Sequence, residues 1–162
     1  FNITHADARV ALAGLDGFQV VVGDAFTDIA VPAHLVTREF YQEIASSLAP
    51  DGFYLMNLID HTDSLKALAA SVRTLKQVFP VVEVWVEAED FTAGGRTTFV
   101  LMAGSAPSPQ GRMTLAPTTP DVPGRIIGRI PAHRVDGLVA TLDPPVLTDD
   151  YAPIDRLIGA RP

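Results

Sequence analysis

The sequence predicts an α/β protein with a mostly parallel sheet, and three observations lead to that expectation. Segments with the apolar pattern of strands alternate with segments that carry a helical apolar stripe. The run at 18–22 is apolar except for one Gln, which is typical of a strand buried on both faces. The chain has 162 residues, a one-domain length, and 48% of them are hydrophobic, which is enough for a sizeable core.

Composition excludes several classes of function. The net charge of −7 argues against nucleic acids and anionic membranes as partners and agrees, weakly, with a cationic ligand. The chain has no cysteine, so disulfides, thiol catalysis and thiolate metal sites are excluded. No apolar run reaches the roughly 18 residues that a membrane span needs, and we expect no signal peptide. We therefore expect a cytoplasmic protein without membrane contact.

The first elements are predicted in the order strand, helix, strand, helix. Residues 1–5 alternate in polarity as a strand does, 8–15 fit a short helix, and 18–22 fit the buried strand. Residues 37–48 fit an amphipathic helix with an apolar stripe at every fourth position, formed by Phe40, Ile44 and Leu48. Pro50-Asp51-Gly52 is expected to end this helix, with Gly52 able to adopt the left-handed conformation.

The next pair is a buried strand at 53–59 followed by a long amphipathic helix at 62–79. Thr62 or Asp63 is expected to cap the start of this helix, since a side-chain oxygen there can accept a backbone N–H.

Two further strands, 81–87 and 97–103, are expected to pair antiparallel, because the connection between them is too short for a crossover helix. Gly94-Gly95 supplies the positive φ that such a turn needs and, since it opens no helix, is not a phosphate loop. Trp85 is expected to pack in the sheet.

The rest of the chain, 106–162, is rich in proline and is predicted to cross the surface of the domain formed by 1–105. A short helix at Ala132–Leu142 and a mobile loop at 106–123 are expected within it.

Three acidic residues follow predicted strands, namely Asp7, Asp24 and Asp60. Ligands of open parallel sheets bind beyond the carboxyl ends of the strands, so these residues are candidates for function. Two of them also have a simpler interpretation: Asp24 could merely open a polar loop, and Asp7 could cap the helix that follows it.

The order and spacing of several motifs resemble the spermidine synthase (aminopropyltransferase) family. The motifs are Asp7-Ala8-Arg9, Val20-Val21-Val22-Gly23-Asp24, Pro32-Ala33-His34-Leu35, Phe40-Tyr41 and Leu48-Ala49-Pro50-Asp51-Gly52. The closing Leu147-Thr148-Asp149-Asp150-Tyr151-Ala152-Pro153-Ile154-Asp155-Arg156-Leu157 is similar to the end of bacterial spermidine-synthase-like proteins, some of which are fused to transporter segments.

The resemblance implies the Rossmann-like class I methyltransferase fold and transfer of an aminopropyl group from decarboxylated S-adenosylmethionine to an amine such as putrescine. It implies that Asp24 is the proton acceptor and that Asp7, with the Ala8 backbone N–H, holds the adenine. A carboxylate can bind an alkylammonium and take its proton, and a sulfonium leaving group needs no metal. The family is commonly dimeric, so a homodimer is expected.

Departures from the family pattern affect the amine site. Thr27 stands where the family has a second aspartate, so Asp28 is the candidate substitute, and Tyr151 is a candidate amine contact in a segment over the active site. The family's Gly-rich nucleotide loop and its ribose-binding acid would precede residue 1. We therefore expect this sequence to be the carboxyl-terminal part of a longer protein.

Two alternatives to aminopropyl transfer stay open. The absent acid at Thr27 agrees with a methyltransferase that uses S-adenosylmethionine, and the absent Gly-rich loop agrees with a non-catalytic domain of the same fold. A metal site is not expected, because the four histidines are scattered and lack the spacing of metal ligands. They are His5, His34, His61 and His133.

Overall fold

A computed structural model describes residues 2–27, 31–115 and 124–158, without the side chain of residue 115. The helices are α1 Ala8–Leu12, α2 Arg38–Ser47, α3 Lys66–Leu75, α4 Ala88–Ala93, α5 Ala132–Leu142 and α6 Ile154–Leu157, with a 3-10 turn at Ala33–Leu35. The strands are β1 Phe18–Gly23, β2 Leu48–His61, β3 Val81–Glu87, β4 Arg96–Gly104, β5 Arg112–Leu115 and β6 Arg125–Arg129.

Within the described residues the strands form one sheet of six in the order β1-β2-β4-β3-β6-β5. β1 and β2 are parallel, whereas β4 lies antiparallel between β2 and β3, and β6 pairs antiparallel with β3 and β5. The predicted α/β class and the antiparallel hairpin of β3 and β4 are confirmed. The sheet is mixed rather than mostly parallel as predicted, because among the described strands one pair, β1 with β2, is parallel and the other four pairs are antiparallel. β1, β2 and β3 nevertheless run in one direction, since β4 inserts between β2 and β3.

The core lies between one face of the sheet and helices α2 and α3. Alternate side chains of β2 are buried, as the 2-residue period of a strand requires. They meet the apolar stripe of α2, which contains Phe40 and Ile44 as predicted. Side chains that are fully shielded from solvent include Tyr41, Ile44, Leu58, Leu75, Phe99 and Leu101. None of the described helices has the length and apolarity to span a membrane.

The predicted strand at 1–5 is wrong for the described residues 2–5, which form no strand. Ile3 is 79% exposed, and no neighbouring strand among the described residues offers its backbone a hydrogen-bond ladder. The predicted two-sided burial of β1 is also wrong, since Val22 is 65% exposed. In the part of the chain that is described, β1 is an edge strand and one of its faces is open.

The segment after α2 differs from its prediction. α2 ends at Ser47, and Leu48 is already extended and starts β2 opposite Phe18. Gly52 does not adopt positive φ. A Cβ atom at Gly52 would lie 2.5 Å from the Phe18 carbonyl oxygen, so glycine is required here because two backbones approach closely.

The start of α3 also differs, since it begins at Lys66 rather than at 62. Thr62 and Asp63 do not cap it, because β2 continues to His61 and the Thr62 N–H donates to the Gly95 carbonyl oxygen. The buried Asp60 carboxylate takes over the capping task by accepting the Leu68 N–H at 2.9 Å and the His61 N–H at 2.7 Å.

The region after β4 contributes more than a surface tail. β6 and β5 extend the sheet beyond β3, and neither was predicted. The predicted helix Ala132–Leu142 is confirmed as α5. The positive φ of Gly94 and Gly95 and the burial of Trp85 are confirmed as well. The predicted mobile loop at 106–123 contains β5, and its residues 116–123 lie outside the described part.

Candidate functional site

A groove of about 490 Å³ lies at the carboxyl end of β1, between α1, the 3-10 turn and α2. Its walls are mainly apolar, and its volume falls in the range of small-molecule sites, about 300–1,000 Å³. Residues from each wall include Ala8, Leu12, Val22, Asp24, Val31 and Phe40. The groove can therefore shield an apolar ring or chain while Asp24 offers a charge at its rim.

Asp24 follows directly after β1, and its exposed side chain is oriented by the neighbouring strand. The Asn57 Nδ2 group donates a hydrogen bond to Asp24 Oδ1 at 2.8 Å. Gly23, the last residue of β1, pairs with Met56 in the parallel register. Asn57, the next residue of β2, therefore lies beside Asp24, the residue after β1. Asn57 Oδ1 is buried and has no hydrogen-bond partner among the described residues. Asn57 was missed, although a lone amide in the run Phe-Tyr-Leu-Met-Asn-Leu-Ile was a usable signal.

Asp7 caps α1, as its simpler interpretation predicted. Its Oδ1 accepts the N–H groups of Arg9 and Val10 at 3.0 and 3.2 Å, and its Oδ2 lies 2.8 Å from His34 Nε2. The hydrogen bond with His34, followed by that with Val10, lowers the pKa of Asp7. Ala8 lines the groove one residue further on. His34 was not predicted as a partner of Asp7.

Arg9 reaches from α1 to two acidic side chains, Glu43 on α2 and Asp149 near the carboxyl end. These contacts raise the pKa of Arg9 further above its usual value, with the Asp149 hydrogen bond as the larger cause. Reciprocally, the hydrogen bonds from Arg9 lower the pKa of Asp149. No sequence signal identified this contact, because Arg9 and Asp149 are 140 positions apart.

Of the two remaining predicted residues, Tyr151 lies away from the groove, and Asp28 is not among the described residues. Tyr151 is 60% exposed in a tight turn, where its backbone N–H and C=O pair with those of Thr148 at 3.0 Å, and it does not line the groove. Asp28 lies outside the described residues, next to the exposed Thr27. The structure thus joins Ala8 and Asp24 in one groove, with Asp7 at the start of the adjoining helix.

No group of three or more His, Asp or Glu side chains in the described ranges is arranged to hold a metal ion. A separate cavity of about 390 Å³ lies on the opposite face of the sheet, beneath Trp85 and Met113, and is almost entirely apolar.

No protein-family model matches the chain. An N-terminal histidine N-methyltransferase of Emericella nidulans is 35% identical over 71 residues, which are 44% of this chain and 12% of that protein. A probable spermidine synthase of Corynebacterium glutamicum superposes with a TM-score of 0.65 and 19% identity, over 87% of this chain and 52% of that one.

Human methyltransferase-like protein 13, solved in complex with SAH, superposes with a TM-score of 0.52 and 22% identity, over 90% of this chain and 60% of that one. The chain thus spans between half and two thirds of the length of these solved structures, and a small part of the N-methyltransferase. The likeness in structure, together with the sheet order, shows that the chain has a Rossmann-like α/β fold of the methyltransferase type.

Proposed function

We propose that the protein is a transferase that moves an alkyl group from an S-adenosyl sulfonium donor to an amine, with Asp24 as the proton acceptor. In its specific form, the donor is decarboxylated S-adenosylmethionine, the group is aminopropyl, and the acceptor is an amine such as putrescine. The observation that carries the proposal is the Asp24 carboxylate, held by Asn57 at the rim of an apolar groove beyond a parallel strand.

The chemistry explains why a carboxylate is needed at this rim. An alkylammonium cannot attack carbon until its nitrogen has lost a proton, and Asp24 can bind the cation and accept that proton. The nitrogen then bonds to the transferred carbon, while the carbon–sulfur bond breaks and its electron pair stays on sulfur. The Asn57 amide fixes the orientation of the carboxylate during this step.

The donor side of the proposal rests on α1. Ala8 and Ala11 offer a flat apolar wall for an adenine ring, and Asp7 stands at the start of the same helix. Because Asp7 Oδ2 already contacts His34, an adenine amino group would share or replace that contact. Asp28 and Tyr151 stay proposed contacts of the amine.

Methyl transfer to an amine is the second candidate, and specific observations favour it. A stretch of 71 residues is 35% identical to a named N-methyltransferase, and a fold neighbour is a methyltransferase solved with SAH. Thr27 also replaces the second acid expected of an aminopropyltransferase. Both candidates use the same sulfonium chemistry and the same role for Asp24, and they differ in the donor.

Replacement of Asp24 tests the shared chemistry. In the variant Asp24→Asn, kcat for transfer to putrescine should fall by about 10²- to 10⁴-fold, the usual contribution of a general base. The matched control is Asp16→Asn, which removes an exposed acid that does not line the groove. Unchanged turnover in Asp24→Asn would contradict the proposed role.

The same assay separates the two candidates if the donor is varied. Transfer with decarboxylated S-adenosylmethionine, and none with S-adenosylmethionine, supports the aminopropyl form. The reverse preference supports methyl transfer.

A further inference from the structure

Helix α1 forms one wall of the groove but cannot hold itself in place. It has five residues and no fully buried side chain, and its Leu12 packs only partly against the core. Isolated helices of that length are unstable in water, since the first turn costs more free energy than it returns. Contacts outside the helix must therefore fix the position of this wall.

Arg9 supplies the main polar contacts between α1 and the rest of the chain. Its Nη1 and Nη2 donate to the two oxygens of Asp149 at 2.8 and 2.9 Å, and its Nε donates to Glu43 Oε1 at 2.9 Å. The guanidinium also lies 6.0 Å from the centre of the Phe40 ring, which lines the groove. We call Arg9, Glu43 and Asp149 the Arg9 latch.

The segment that carries Asp149 is itself firmly attached to α2 and α3. The Asp149 N–H donates to Glu39 Oε2 at 3.0 Å, and the Leu147 carbonyl accepts the Arg38 N–H at 2.8 Å. The Leu147 N–H donates to Thr74 Oγ1 at 2.9 Å, and Leu147 is fully buried. Asp149 is thus an anchor fixed to the core.

We propose that Arg9 is a positioning residue: through the Arg9 latch, the segment 147–149 near the carboxyl end sets the position of α1 and hence the affinity of the groove for its ligand. Asp149 does not line the groove, so its influence passes through Arg9. The identity of the ligand rests on the proposed function, whereas the restraint of α1 does not.

The chemistry of arginine fits this task. Its planar guanidinium can form two parallel bonds to one carboxylate and a third to another, whereas a lysine ammonium is a single point of charge. The latch joins partly exposed groups, so it should contribute little to global stability and act mainly on local geometry.

A spin label tests the restraint without any ligand. The chain has no cysteine, so Val10→Cys gives a unique labelling site on the outer side of α1, where Val10 is 69% exposed. In this background, Asp149→Asn and Arg9→Lys should each convert the slow-motion electron paramagnetic resonance spectrum to a mobile one. Asp150→Asn is the matched control. It removes the neighbouring negative charge, whereas the side-chain hydrogen bonds of Arg9 go to Glu43 and Asp149.

A titration with S-adenosylhomocysteine tests the coupling. Asp149→Asn should weaken the binding of this ligand about tenfold, the loss expected for a charge-assisted hydrogen bond, while its melting temperature stays at the wild-type value. The control Asp150→Asn should keep the wild-type affinity.

An immobile label in Asp149→Asn would overturn the latch. A mobile label with unchanged affinity would overturn the coupling to the groove. If the wild-type protein binds neither S-adenosylhomocysteine, the product of methyl transfer, nor 5′-methylthioadenosine, the product of aminopropyl transfer, the proposed function fails, and the label alone then decides whether the latch restrains α1.

Discussion

Helices α1 and α3 are held to the same domain by different forces. In α3, eight of ten residues are buried, and Val72 and Leu75 are fully shielded from solvent. In α1, no side chain is buried, and its position depends on the cap formed by Asp7 and on the Arg9 latch. Burial of apolar area stabilises α3, whereas α1 combines partial packing of Leu12 against the core with hydrogen bonds and charge.

The difference separates stability from ligand binding. Regions with few buried apolar contacts open locally at low free-energy cost, and binding walls are often drawn from such regions. Changes in α3 should therefore unfold the domain. Changes in α1 should instead alter the groove and leave the core folded.

The largest expected effect comes from truncating the core side of α3. Leu75→Ala should lower the free energy of unfolding by about 2–5 kcal/mol, because it removes buried methyl groups and leaves a cavity. The control on α1 is Val10→Ala, which should change this free energy by less than about 0.5 kcal/mol at its exposed position. Urea denaturation followed by circular dichroism measures both, and equal losses would contradict the contrast between the helices.

A smaller effect is expected at the cap of α1. His34→Ala removes the first cause of the lowered pKa of Asp7, so the pKa of Asp7 should rise toward its usual value. A carboxyl group whose pKa is lower in the folded state stabilises the fold at pH values above its unfolded-state pKa. This stabilisation is lost as the pH falls through the folded-state pKa. The variant should therefore reduce the acid resistance of the α1 cap.

Carboxyl carbon shifts of Asp7 in an NMR titration measure this change. His133→Ala, an exposed histidine on α5, is the control and should leave the pKa of Asp7 where it is. An unaltered Asp7 titration in His34→Ala would show that the cap does not depend on the histidine.

Sequence reasoning succeeded where the controlling signal is local. The bounds of β3 and α5 follow from periodicity within a short window, and the hairpin before β4 follows from Gly94-Gly95. Asp24 could be located because a strand end determines its position in the fold. The α/β class was predictable for the same reason.

Sequence reasoning failed where a distant segment decides the outcome. β6 is a short run that becomes a strand only by pairing with β3, about 40 positions earlier in the chain. The start of α3 is determined by the buried Asp60 carboxylate, eight positions before Leu68. The Arg9 latch joins the two ends of the sequence and has no periodic trace. The roles of Asp28 and Tyr151, the domain bounds and the homodimer stay predictions.

The location of the ligand site is the central claim, and amide chemical-shift titrations with the two transfer products, S-adenosylhomocysteine and 5′-methylthioadenosine, test it most directly. The account predicts saturable shifts concentrated along the groove, at Ala8, Ala11, Gly23 and Asp24. Shifts confined to the apolar cavity beside Trp85 and Val100 on the opposite face, or no shifts at all, would contradict it.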